Sequence, residues 1–154
     1  MKNKKSYTIT EIRDKLTAYC AYQDRCHWEV ENKMKDYYLA PEAEDDIMLY
    51  LMRENFLNEE RFAESFARGK FYQKSWGRNK IKIELKRKKI TPRLIEQALK
   101  QIDANDYYKT MEKLIEKKIS TLNEPDSYKK KQKVIRYMLQ KGYEYELIKA
   151  HLEE

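Results

Sequence analysis

One apolar signature returns along this chain at an interval of about fifty residues. Val30, Met34 and Leu39 match Ile81, Leu85 and Ile90 at an offset of 51, and Val134, Met138 and Tyr143 match the same three at an offset of 53. Ala40-Pro41 falls on Thr91-Pro92 in the first alignment, and Leu147-Ile148 falls on Leu94-Ile95 in the second. Apolar residues four apart share one helix face, so a period near fifty predicts a repeated helical unit. A unit of that size has a marginal core by itself and must stack on its neighbours. The expected fold is all-α: three tandem three-helix repeats at 8–55, 56–103 and 104–154, preceded by a flexible basic segment 1–7. They are expected to stack into an elongated, right-handed array that can curve. The third helix of the first repeat should be the longer one, because its apolar residues lag the common register.

Helix signals support that division. The chain has only three Gly and three Pro, which favours long helices and few tight turns. Thr8 followed by Glu11 reads as a capping box ahead of Ile12, Leu16, Tyr19 and Cys20. Pro41 and Pro92 each stand at the first position of a helix, the former followed by four acids near the positive end of the dipole. Asp106 is the expected cap of a helix carrying Tyr108, Met111, Ile115, Ile119 and Leu122, and Gly142 is placed to end the helix before it.

Charge is distributed unevenly. The chain carries +7 overall, yet residues 68–93 hold eleven Lys/Arg against the single acid Glu84, leaving −3 for the other 128 residues. A concentrated field of this kind suits a polyanion: nucleic acid, an acidic protein face or an anionic membrane. A solvated pair of lysine-rich helices is the plainer alternative. With 41% apolar residues and 12% aromatics the chain should fold rather than remain disordered. No window is long and apolar enough to span a membrane, and the basic start lacks the apolar stretch of a secretory signal. Cys20 and Cys26 have the spacing of neither a redox pair nor a zinc site. Cys20 lies on an apolar stripe, and the adjacent Cys26 and His27 lack a partner cluster, so no metal or cofactor is expected. Together these features point to a reduced, cytoplasmic protein, expected to be a monomer.

The most distinctive stretch is Arg61-Phe62-Ala63 with Phe66 and Arg68, then Trp76-Gly77-Arg78, then Lys80-Ile81 and Glu84-Leu85. Phe62, Phe66 and Gly69 project to one side of a helix beside Ala63 and Ala67, small residues that let another helix approach. Ile81 and Leu85 point inward together, while Ile83 faces away, toward an adjoining unit or a binding surface. This pattern resembles the RecX family, bacterial modulators of the RecA recombinase, strongly over 58–95 and more weakly over the rest. The phrase R-F-A-x-x-F falls on Arg61, Phe62, Ala63 and Phe66, the turn glycine on Gly77 and E-L on Glu84-Leu85. Lys89 departs from the pattern, standing where the family usually carries a glycine at a left-handed helix end. The resemblance implies tandem three-helix repeats and a non-enzymatic regulator. Such a regulator binds the RecA–DNA filament in its groove and limits filament growth, strand exchange and ATP hydrolysis.

The candidate contact residues are Arg61, Arg68, Lys70, Lys74, Trp76, Arg78, Lys80, Lys82, Lys86 and Arg87. Their expected role is electrostatic docking on the RecA filament. The rival reading is a basic helical protein acting directly on single- or double-stranded DNA, since Phe71, Tyr72 and Trp76 interleave with the cations as stacking surfaces do. In either case weak, sequence-independent DNA binding is expected as a further property. Trp76 can equally serve as a lid on the core. An enzyme is disfavoured. Glu42, Glu44, Asp45 and Asp46 are explained by dipole compensation, His27 and His151 have no evident partners, and no phosphate-binding loop is present. No catalytic residue is assigned, and a membrane-surface role is disfavoured by the narrow apolar face of the basic helix.

Overall fold

A computed structural model describes residues 6–153, and the described residues form nine helices and no strand. Of the basic segment 1–7, residues 1–5 lie outside the described residues. Tyr7 packs edge-on against Tyr37, with ring centroids 5.8 Å apart. The helices are α1 (Ile9–Tyr22), α2 (His27–Met34), α3 (Pro41–Arg53), α4 (Glu59–Lys74), α5 (Arg78–Arg87), α6 (Pro92–Leu99), α7 (Ala104–Thr121), α8 (Ser127–Gln140) and α9 (Tyr145–Leu152). We refer to α1–α3, α4–α6 and α7–α9 as the first, central and third units. At 13 residues α3 exceeds α6 and α9, which have eight each, as its lagging apolar register predicts.

The repeated signature has a local cause. Ile81 and Leu85 are buried on α5; Lys89 then takes a left-handed conformation (φ 61°), and Ile90 folds back onto the same core. The Ile90 N–H donates to the Leu85 carbonyl at 3.1 Å and the Lys89 N–H to that of Lys86 at 3.0 Å, the two bonds of a Schellman ending. The end of α8 repeats this geometry with Gly142 (φ 99°), Met138 and Tyr143. Loss of the family glycine at Lys89 has therefore not changed the turn. The lysine occupies a region that glycine enters without penalty.

Caps account for the other boundaries. Thr8 and Glu11 form the reciprocal capping box, each bond 3.1 Å. The cap of α7 is Asp103, not Asp106: its Oδ1 accepts from the Asp106 N–H at 2.9 Å. The inward residue is accordingly Tyr107, fully buried, while Tyr108 is 43% exposed. On α4 the buried face is Phe62, Ala63, Ala67 and Phe71, against which α6 packs with Ala98. Gly69 lies off this face, with open space around its α-carbon.

The core falls into two clusters instead of one continuous stack. The first unit surrounds Leu16, Val30, Ile47 and Leu51, whereas the central and third units share a single cluster that includes Phe71, Leu85, Tyr107, Met138 and Tyr143. Among the described residues, only Cys26 and Trp28 reach from the first unit into that larger cluster. The accessible surface of 10256 Å² exceeds the roughly 8,300 Å² of a compact monomer of this mass, consistent with an extended array.

Candidate partner-binding surface

The cationic residues of the central unit project from α4 and α5 on either side of a short turn. Ser75, left-handed at φ 57°, ends α4, and Gly77 caps α5. Between them Trp76 lies partly buried, edge-on to Phe66 at 6.3 Å. Its ring is bracketed by two ammonium groups, Lys70 Nζ at 4.9 Å and Lys80 Nζ at 4.3 Å from the centroid. Trp76 thus closes the core on one side and holds two lysines on the other. Lys74, Lys82 and Lys86 are exposed. Among the described residues no carboxylate pairs with Lys70, Lys74, Lys80, Lys82 or Lys86.

The arginines behave differently. Arg61 Nε contacts Asp24 Oδ1 at 2.8 Å, and its Nη2 donates to the carbonyls of Asn55 and Phe56, closing the end of α3. Arg78 Nη1 contacts Glu144 Oε2 at 2.9 Å while its guanidinium lies 3.9 Å over the Tyr107 ring. These two side chains connect units and are turned inward. Arg68 donates to Gln101 Oε1 at 3.3 Å, and Arg87 pairs with Glu84 at 2.9 Å but remains 71% exposed. Eight of the ten sequence candidates therefore border the outer surface, and two are committed to junctions.

At one of those junctions the Tyr107 hydroxyl accepts from the Arg78 N–H at 3.0 Å and makes a short hydrogen bond to Glu144. Burial, reinforced by that carboxylate, holds the Tyr107 hydroxyl well above the usual tyrosine range. Gly77 lies directly against Gly142: a Cβ on Gly77 would sit 2.2 Å from the Gly142 carbonyl carbon. The pairing was hidden in the sequence because the two glycines are far apart and each has a sufficient local explanation as a turn residue.

Sequence reasoning also passed over α8, which carries Lys129, Lys130, Lys131, Lys133 and Arg136 with no acid within the helix. Acids elsewhere in the third unit offset that charge, so only a helix-by-helix count finds it; Lys133 pairs with Glu124 at 3.0 Å. The histidines are not isolated either. His27 lies 3.6 Å from Glu59, whose carboxyl is raised by burial with His27 opposing, and His151 lies 4.0 Å from Glu112. Among the described residues no cluster of three His, Cys, Asp or Glu could hold a metal ion, and no helix is long and apolar enough to cross a membrane.

Three-helix units with a cationic outer face define an all-α helical-repeat protein. Residues 58–99 match the family model for the second three-helix domain of RecX, and residues 105–152 match that for the third. This chain belongs to the RecX family. It is 30% identical over 133 residues to regulatory protein RecX of Streptococcus uberis, covering 86% of this chain and 50% of that protein. Against regulatory protein RecX of Clostridium perfringens strain SM101 it is 35% identical over 143 residues, covering 90% and 57%. The chain thus spans about half the length of these relatives. The crystal structure of RecX from Lactobacillus salivarius has a TM-score of 0.85 over 94% of both chains at 24% identity, a likeness of fold.

Proposed function

We propose that this protein binds the RecA–DNA filament through the outer face of its central unit and limits filament growth, ATP hydrolysis and strand exchange without catalysing a reaction. The partner follows from the family resemblance. The observation that carries the docking face is the set Lys70, Lys74, Lys80, Lys82 and Lys86, none neutralised by a carboxylate among the described residues. Unpaired surface cations impose a field on the surroundings, which steers encounter with an acidic groove. Arg68 and Arg87 border this set, and Arg61 and Arg78 serve it indirectly by fixing the units around it.

RecA-dependent ATP hydrolysis and strand exchange, measured with rising amounts of this protein, test the reading. Inhibition well below one molecule per recombinase favours action at growing filament ends, and inhibition only near saturation favours groove occupancy. Full recombinase activity at saturating protein contradicts the proposal. Direct DNA binding is a second reading, favoured by the Trp76 ring between Lys70 and Lys80 with Tyr72 exposed nearby in sequence. It requires an affinity for single strands that falls steeply with salt, because each neutralised phosphate releases counterions.

A further inference from the structure

The helices α5 and α6 do not close completely over the core. Between them lies a cleft of about 160 Å³ lined by Lys82, Lys86, Pro92, Ile95, Glu96 and Leu99. Ile95 forms a buried apolar floor and Leu99 is half-buried, so the interior is hydrocarbon while the α5 rim is cationic. A cavity of about 150 Å³ lined by apolar side chains accommodates a benzene ring, so this volume takes one apolar side chain. Lys82 and Lys86, four residues apart, stand on the same side of α5. Ile83, 51% exposed, lies outside the cleft lining, on the outer face of α5.

The repeats supply an internal control. At the offsets that align the buried residues, Lys82 and Lys86 become Glu31 on α2 and Lys35 at its C-cap, and Ile135 and Leu139 on α8. Neither other unit carries two cations at these positions, so packing does not require them. Glu96 on the opposite wall forms no ion pair with either lysine among the described residues, and it disfavours an acid within the cleft itself. Acidic groups of a ligand are therefore expected on the α5 side only.

We propose that the α5–α6 cleft is the docking site for a short acidic segment of a partner protein, one apolar side chain inserting over Ile95 while flanking carboxylates meet Lys82 and Lys86. Buried apolar anchoring with charged selection at the rim is how compact protein interfaces divide affinity from specificity. A nucleic-acid strand matches the cations but leaves the hydrocarbon floor unused. The proposal rests on the reading of the central unit as the docking face.

Fluorescence anisotropy of the full chain with a labelled peptide of Asp and Glu around one Phe tests it, beside the same peptide with Ser for Phe and a single-stranded oligonucleotide. The Phe peptide should bind on the order of tenfold more tightly than its Ser counterpart. Lys82→Glu with Lys86→Glu should weaken the Phe peptide on the order of tenfold, and Glu96→Gln should tighten it. Equal affinity for the two peptides, or a weaker Glu96→Gln complex, overturns the cleft assignment. If the peptide binds as described without competing with RecA filaments, the cleft stands and the RecA reading of this face fails. If filaments are inhibited normally but the peptide does not bind, the reverse holds.

Discussion

The two junctions between units are built on opposite principles. Between the central and third units the backbone itself is shared. The Gly77 N–H donates to the Lys141 carbonyl at 2.7 Å, the Asn79 N–H to that of Gly142 at 2.9 Å, and the Tyr143 hydroxyl to that of Ser75 at 2.9 Å. These bonds sit beside one common apolar cluster. Between the first and central units the ties are side-chain contacts: the ion pairs of Arg61 with Asp24 and of Lys88 with Glu29 at 3.3 Å, and the approach of His27 to Glu59. Cys26 and Trp28 are the apolar insertions there, with Lys88 Nζ 5.3 Å from the Trp28 ring. Partly exposed ion pairs contribute little and weaken with salt, whereas close backbone contact tolerates almost no change. The central and third units thus share one core and one set of backbone bonds, and the first unit is fastened to them largely by charge.

The backbone junction should break most severely. Gly142→Ala places a methyl group 2.4 Å from the Lys80 Cβ at a φ of +99°, and Gly77→Ala meets Gly142 backbone at 2.2 Å. Either substitution is expected to cost about 3–5 kcal/mol and to lower the thermal midpoint by about 10 °C or more. A loss within 1 °C would show that the close approach is not essential.

The charged junction should yield by smaller steps. Burial pushes the Cys26 thiol up to about 11, so at pH 8 its labelling proceeds mainly through opening of the first unit away from the shared core. Lys88→Ala is expected to speed Cys26 labelling about fivefold, and 1 M salt should act in the same direction. Cys20, buried in the first unit's own cluster, should be unaffected. Equal acceleration at both thiols would mean general loosening instead of separation at this junction.

The smallest effect is a gain. Lys89→Gly relieves the left-handed strain at the end of α5, partly offset by the added freedom of the unfolded chain, and should stabilise by about 0.5–1 kcal/mol in denaturant unfolding.

Much of the architecture was legible because it is local. The spacing of Ile81, Leu85 and Ile90 encodes a helix face followed by a Schellman return, and repetition of that spacing exposes the units. Pro41, Pro92 and the Thr8–Glu11 pair mark helix starts with chemistry that acts within one turn. The start of α7 was misplaced because Asp103 and Asp106 are both acceptable caps, and only the inward orientation of Tyr107 separates them. What crosses between units was not legible. Arg61 and Arg78 read as surface cations because Asp24 and Glu144 lie 37 and 66 residues away. The lysines gave a better guide to the outer face, since none of Lys70, Lys74, Lys80, Lys82 and Lys86 finds an internal carboxylate among the described residues.

The proposed docking depends most on that outer face. Association of this protein with immobilised RecA–DNA filaments, followed over a range of salt, tests it directly when Lys80, Lys82 and Arg87 are all changed to Glu. The triple variant should unfold at the temperature of the unaltered protein, associate on the order of tenfold more slowly at low salt, and show a flatter salt dependence. Unaltered association with an unaltered salt slope would contradict the placement of the docking surface on the central unit.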